Sequence, residues 1–139
     1  MKILKIESNK DKGRAGLGLA INYFSLQGYT ISIPLNDTQW YDLIIEKDGM
    51  FQTVQCKFTA SKDNSISLRS TGGTKGKEYD NIRNHNQLDL IFCADKNLNL
   101  FVIPFNDLYE AGNVSSFRLR TTSPTQGFDS SKYQVQLLD

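Results

Sequence analysis

The clearest pattern of polar and apolar positions lies between Asp42 and Lys57. The apolar run Leu43-Ile44-Ile45 gives way to Glu46-Lys47-Asp48-Gly49, and an alternating stretch follows from Phe51 to Lys57. Asp-Gly between two such runs is a strong hairpin signal, so two antiparallel strands are expected here, 42–45 and 51–57. A period of two places Phe51, Thr53, Gln55 and Lys57 on one face of the second strand. Gln52, Val54 and Cys56 fall on the other. Asp42 begins the first strand, and the turn brings it back toward Gln55 and Lys57 at one end of the sheet.

The flanking patterns supply the other elements. Ala15, Leu17, Leu19, Ala20, Ile21, Tyr23, Phe24 and Leu26 form a broad apolar stripe, which predicts a helix over about 12–27. Ser8 and Asn9 are its candidate N-caps and Gly28 its terminator. Gly16 and Gly18 each cost such a helix about 1 kcal/mol relative to Ala. That cost points to a close approach, to the sheet in preference to DNA. Strands are predicted over 29–34, 65–70, 88–94 and 98–104, with loops over 35–40 and 58–64. Short helices are predicted over 78–87, carrying Tyr79, Arg83 and His85, and over 106–111, ended by Gly112. Two late strands, 116–121 and 133–138, present pairing edges unless something covers them. No internal repeat or linker interrupts this order. It predicts a single α/β domain over 1–139, a central mixed sheet flanked by helices, with a core of about 12–110 and extra C-terminal strands in 113–139.

Composition narrows the function. A chain of 139 residues can bury one core. The net charge of +1 gives no global basic signature, so any nucleic-acid contact must rest on local clusters. Three groups qualify: Lys10, Lys12 and Arg14; Lys75 and Lys77; and Arg118 with Arg120, which share one strand face. Charge runs of this kind are also what a solvated face contains. Cys56 and Cys93 sit in strand-like runs without zinc-site spacing and read as buried thiols in a reducing compartment. No apolar run could span a bilayer and no signal peptide is visible, so a cytoplasmic protein without membrane contact is expected. The glycines and lysines of 71–77 lack the phosphate-loop pattern, which argues against a nucleotide cofactor. The lone His85 reads as a surface residue.

Chemistry concentrates at the hairpin. Hydrolysis of a phosphodiester with a metal needs oxygen donors for a hard cation and positive charge against the phosphorane. Asp42 is a candidate metal ligand, Gln55 offers an amide oxygen, and Lys57 is a cation for the reacting phosphate. At the end of a sheet the backbone carbonyl of Cys56 could also reach a metal. The bland reading of the same residues is a solvated polar strand end.

The segments Gly28-Tyr29, Ile33-Pro34, Asn36-Asp37-Thr38-Gln39, Tyr41-Asp42-Leu43 and Val54-Gln55-Cys56-Lys57 resemble the PD-(D/E)xK nucleases. The branch most similar is that of group I intron-encoded homing endonucleases, where the second acidic position is commonly Gln, as at Gln55. Holliday-junction resolvases are more distant. The resemblance covers about 12–110 and implies a restriction-endonuclease-like core. It also implies catalysis by Asp42, Gln55 and Lys57, dependence on Mg²⁺ or Mn²⁺, and double-stranded DNA as substrate. Cutting both strands implies a homo-oligomer, a dimer or a tetramer. Many relatives carry a Glu on the first helix, whereas Gly16-Leu17-Gly18 stands here. Glu7, upstream of the helix, is the candidate to replace it. The alternatives are a DNA-binding protein without catalysis on the same fold, and a junction resolvase.

Overall fold

The computed structural model describes residues 5–36, 40–72, 77–80, 88–112 and 115–138. Helix α1 spans Asn9–Leu26. It begins a turn earlier than its apolar stripe because Ser8 caps it. Ser8 Oγ accepts the Asp11 N–H at 3.1 Å, and Asp11 Oδ2 accepts the Ser8 N–H at 3.3 Å. This reciprocal box satisfies donors that a helix start otherwise leaves open. Past the helix end, Gly28 takes a φ of 88° and turns the chain toward the sheet.

Strands β1 (Thr30–Ser32), β2 (Leu43–Lys47) and β3 (Met50–Thr59) follow as antiparallel neighbours. Asp48 and Gly49, at φ 54° and 79°, form the turn between β2 and β3. Positive φ at both central residues suits the right-handed twist of the strands it joins. After β3 come β4 (Ser65–Ser67), β5 (Arg69–Gly72), β6 (Lys77–Asp80), β7 (Leu90–Asp95) and β8 (Leu100–Pro104). Helix α2 (Phe105–Glu110), β9 (Ser116–Arg118), a 3-10 turn (Ser130–Tyr133) and β10 (Gln134–Val135) complete the order. The main sheet runs β1-β2-β3-β7-β8-β10, with β3 and β7 parallel and the other neighbours antiparallel.

Each face of this sheet is covered. On one side Ala20 and Phe24 of α1 pack on Leu43, Ile45, Val54 and Phe92. On the other, Ile91 and Ile103 lie under Phe105 and Leu108 of α2 and under Ile66 and Phe117 of the β4–β9 ribbon. The C-terminal strands are therefore part of the fold. β9 pairs with β4, and β10 pairs with β8, so the open edge expected for the tail is largely covered. Tyr133 Oη also donates to Asp107 Oδ2 at 2.6 Å, and the Phe128 ring stacks on Tyr133 at 5.7 Å.

Several sequence expectations are corrected: the strand expected over 65–70 divides into β4 and β5, and the one expected over 133–138 is the end of a 3-10 turn followed by the two residues of β10. β3 continues to Thr59, where a loop was expected from residue 58, because its parallel register with β7 runs to Thr59↔Asp95. Residues 78–80, expected as the start of a helix, lie in β6 and pair with β5. Helices this short are marginal alone, and the ribbon supplies backbone partners that one turn of helix lacks. The rest of that expected helix, with Arg83 and His85, lies outside the described residues.

Of the three glycines in α1, Gly16 and Gly18 differ sharply. A Cβ on Gly16 would stand 3.2 Å from the carbonyl carbon of Lys57 and 3.4 Å from its oxygen, whereas one on Gly18 would meet nothing within 4 Å. Gly16→Ala must therefore push α1 off β3, at a cost of about 1–3 kcal/mol. Gly18→Ala should stabilise by about 0.5–1 kcal/mol. Urea unfolding of the two variants checks the pair; a Gly16→Ala protein as stable as Gly18→Ala would remove the close approach.

Candidate active site

The site forms where β2 ends and β3 continues. Their pairing stops at Leu43↔Val54, and the Asp42 N–H still donates to Val54 O at 2.8 Å. Strand backbone groups alternate sides, so Cys56 presents its N–H and C=O on the same side as Val54 O. There is no β2 left to receive them. The Asp42 carboxylate takes that place, its Oδ2 accepting the Cys56 N–H at 2.7 Å. The carboxylate and the Cys56 carbonyl thus face one open edge of the sheet. A hairpin with unequal arms is the local cause: five residues in β2 against ten in β3.

The electrostatics follow from crowding. Asp42 is accessible from the edge, yet the protein on its other sides strips hydration and raises its carboxyl above the usual range. The Cys56 N–H and the Lys57 charge offset part of that rise. Burial likewise pushes the Lys57 ammonium below its ordinary value, opposed by the Asp42 carboxylate. Lys57 and Cys93 are register partners on β3 and β7. Burial raises both cysteine thiols, Cys56 well above its usual value, so both are protonated and unreactive at neutral pH.

The N-terminal half of α1 lies across this edge. A groove of about 700 Å³ is lined by Lys10, Gly13, Arg14, Leu17, Asp42 and Cys56. A second depression, about 400 Å³, also reaches Gly13 and Cys56 and is lined by Asn9, Lys12, Lys57, Phe58, Ile66 and a set of hydroxyls. Helix position thus separates the basic residues: Lys10 and Arg14 beside Asp42, Lys12 beside Lys57. Arg14 meanwhile pairs with Asp11 at 2.8 Å on the surface, a contact worth little and easily exchanged.

Asp42, Cys56 and Lys57 are gathered closely enough for Asp42 and Lys57 to shift one another. Gln55 is 7% exposed and lines neither depression. Glu7 is exposed just ahead of the Ser8 cap and also lines neither. No group of three or more His, Cys, Asp or Glu residues suited to a metal occurs among the described residues. Arg118 lies 3.7 Å from Asp63, and the Arg120 N–H donates to Ser130 Oγ at 2.7 Å. Lys77 is in β6, and Lys75 lies outside the described residues. Sequence reasoning passed over the hydroxyls beside Lys57: Thr59, Ser61, Ser65 and Ser67. Their one signal is the alternation Ser65-Ile66-Ser67 on a predicted strand.

This architecture, a helix across a mixed sheet with Asp and Lys at a strand end, is that of a nuclease core. The model of the PD-(D/E)XK endonuclease family matches residues 7–135, and the chain belongs to that family. Among solved structures it is similar to the bacterial homing endonuclease I-Ssp6803I, with a TM-score of 0.68 and 21% identity, over 92% of this chain and 89% of the other. Comparison with curated proteins gives no significant match. No helix among the described residues is long and apolar enough to cross a membrane.

Proposed function

We infer that this nuclease cuts double-stranded DNA with a divalent metal, Mg²⁺ or Mn²⁺, and is of the homing type. The observation that carries the reading is the Asp42–Cys56 contact at the end of β2. It sets a partly dehydrated carboxylate and a backbone carbonyl at one open edge, both oxygen donors of the kind a hard cation prefers. Asp42 and the Cys56 carbonyl would hold the metal, with Gln55 supplying its amide oxygen after a side-chain adjustment. The metal, when bound, supplies Lewis-acidic charge beside the scissile phosphate. Lys57 adds its own positive charge on the opposite side of Cys56.

The basic residues Lys10, Lys12 and Arg14 flank the two depressions on α1 and give the DNA backbone its electrostatic path. One such site makes one cut, so a double-strand break takes two copies, and a closed homo-oligomer supplies them. In this reading residues 1–139 act as one nuclease domain. Supercoiled plasmid should be nicked with Mg²⁺ and left intact with chelator; an intact plasmid under both conditions, at protein concentrations that bind it, would leave DNA binding without catalysis.

A site with one carboxylate has a further consequence. With Gln55 neutral and Glu7 outside the groove, the free protein should hold Mg²⁺ weakly, and the scissile phosphate should complete the site. Calorimetry is expected to show millimolar or weaker binding to the free protein and at least about tenfold tighter binding with DNA present; each factor of ten is about 1.4 kcal/mol. Equal affinity in both states would mean that another acid completes the site.

A further inference from the structure

The depression beside Lys57 has a composition that the cleavage reaction does not require. Lys12 stands on its helix side, and Thr59, Ser61, Ser65 and Ser67 on its sheet side. Its two strand serines are set by the register of β4. Ile66 points into the core at 2% exposure, so Ser65 and Ser67 share the opposite face, about 6.7 Å apart along the strand. In the β4–β9 ribbon Ser65 is opposite Arg118, which places Arg118 on that same face.

We propose that this depression is a second phosphate site, which holds the backbone phosphate next to the scissile one on the strand being cut. The inference rests on the nuclease reading above and names the part of the substrate that the chain grips while Asp42 and Lys57 act. Two features link the depressions into one track. Gly13 and Cys56 line both, and a Cβ on Gly13 would meet nothing within 4 Å, so the space over Gly13 is open. Lys57 then lies between the reacting phosphate on the Asp42 side and the neighbouring phosphate among the hydroxyls. A phosphate oxygen is an acceptor, and Lys12 with the Ser65 and Ser67 hydroxyls supplies donors of complementary character.

Arg118 provides the adjustable part. Its guanidinium lies 3.7 Å from Asp63, and the two side chains are 56% and 50% exposed. An ion pair that long and that exposed is nearly neutral in energy, so a phosphate can take Arg118 from Asp63 at little cost. Asp63 is otherwise held locally, accepting from Ser61 Oγ at 3.0 Å and from the Ser65 N–H at 3.2 Å.

The test couples protein variants to uncharged methylphosphonates placed singly along a DNA duplex, with binding read in chelator and single-turnover cleavage read in Mg²⁺. Wild-type protein should lose about tenfold in affinity when one phosphate flanking the cut is neutralised. The Ser65→Ala/Ser67→Ala protein should lose a similar factor on natural DNA, and nothing further from that one methylphosphonate. Lys12→Met, on the helix side, should show the same blindness and lower the slope of log K against log salt by about 0.9. Thermal melting of each variant separates misfolding from lost contact, and the two variants lie on different elements. If every variant stays as sensitive to the flanking methylphosphonate as wild type, the second site is overturned while the nuclease reading stands. If wild-type protein neither binds nor cuts the duplex, both fall together.

Discussion

Asp42→Asn is expected to abolish metal-dependent cleavage, a loss of at least about 10³-fold in the single-turnover rate, while the protein stays folded. The amide oxygen of Asn can still accept the Cys56 N–H, so the end of the hairpin keeps its hydrogen bond. What disappears is the anionic donor at the open edge. The sign of the pH linkage supports survival of the fold. Because the Asp42 carboxyl is raised in the folded chain, the native state holds its proton more tightly than the unfolded state between 3.8 and the raised value. The stability tied to this group is present at low pH and falls as pH rises through that window. At neutral pH the wild-type protein therefore carries the charge at a cost, which Asn removes. A folded Asp42→Asn protein that cuts DNA at the wild-type rate would take Asp42 out of the chemistry.

Lys57→Met should slow cleavage by about 10²–10³-fold and leave DNA affinity within about threefold, because the charge matters most as the phosphorane forms. It has a second signature. Lys57 helps to hold the Asp42 carboxyl down, so removing it lets burial raise that carboxyl further. A metal must displace the Asp42 proton, so the acid limb of Mg²⁺ binding should move to higher pH in the variant. Single-turnover rates, gel shift and a pH series of metal titrations read these quantities separately. Equal losses in rate and affinity, with an unmoved pH limb, would reduce Lys57 to a backbone phosphate contact.

The hairpin was legible because its signals are local. Asp48-Gly49 needs two positive φ angles, and the alternation around Val54 and Cys56 tracks the face that α1 covers. Helix α1 was legible for the same reason, and its stripe residues Ala20 and Phe24 are in the core. What lay beyond reach depended on distant partners. Nothing local shows that β2 stops while β3 runs on to Thr59, because that length is set by pairing with β7. Yet this mismatch turns Asp42 onto the Cys56 N–H. The Gln55 side chain was expected beside Asp42 from strand alternation, the hairpin turn and the family resemblance; it is buried and lines neither depression. The hydroxyl-lined depression was hidden because Lys12, Lys57 and Ser65 come from three separate elements. The tail strands were recognised in part, as β9 over Ser116–Arg118 and β10 over Gln134–Val135, but their partners, β4 and β8, are long-range choices that no turn signal encodes.

The proposed chemistry requires a metal to bind where β2 ends. Anomalous diffraction from crystals of the protein with a DNA duplex and Mn²⁺ tests it most directly. A manganese peak is expected beside the Asp42 carboxylate and the Cys56 carbonyl, with a DNA phosphate oxygen completing its contacts and Lys57 across from it. A DNA complex in which the manganese sits away from Asp42, or in which that edge holds phosphate and no metal, would contradict it.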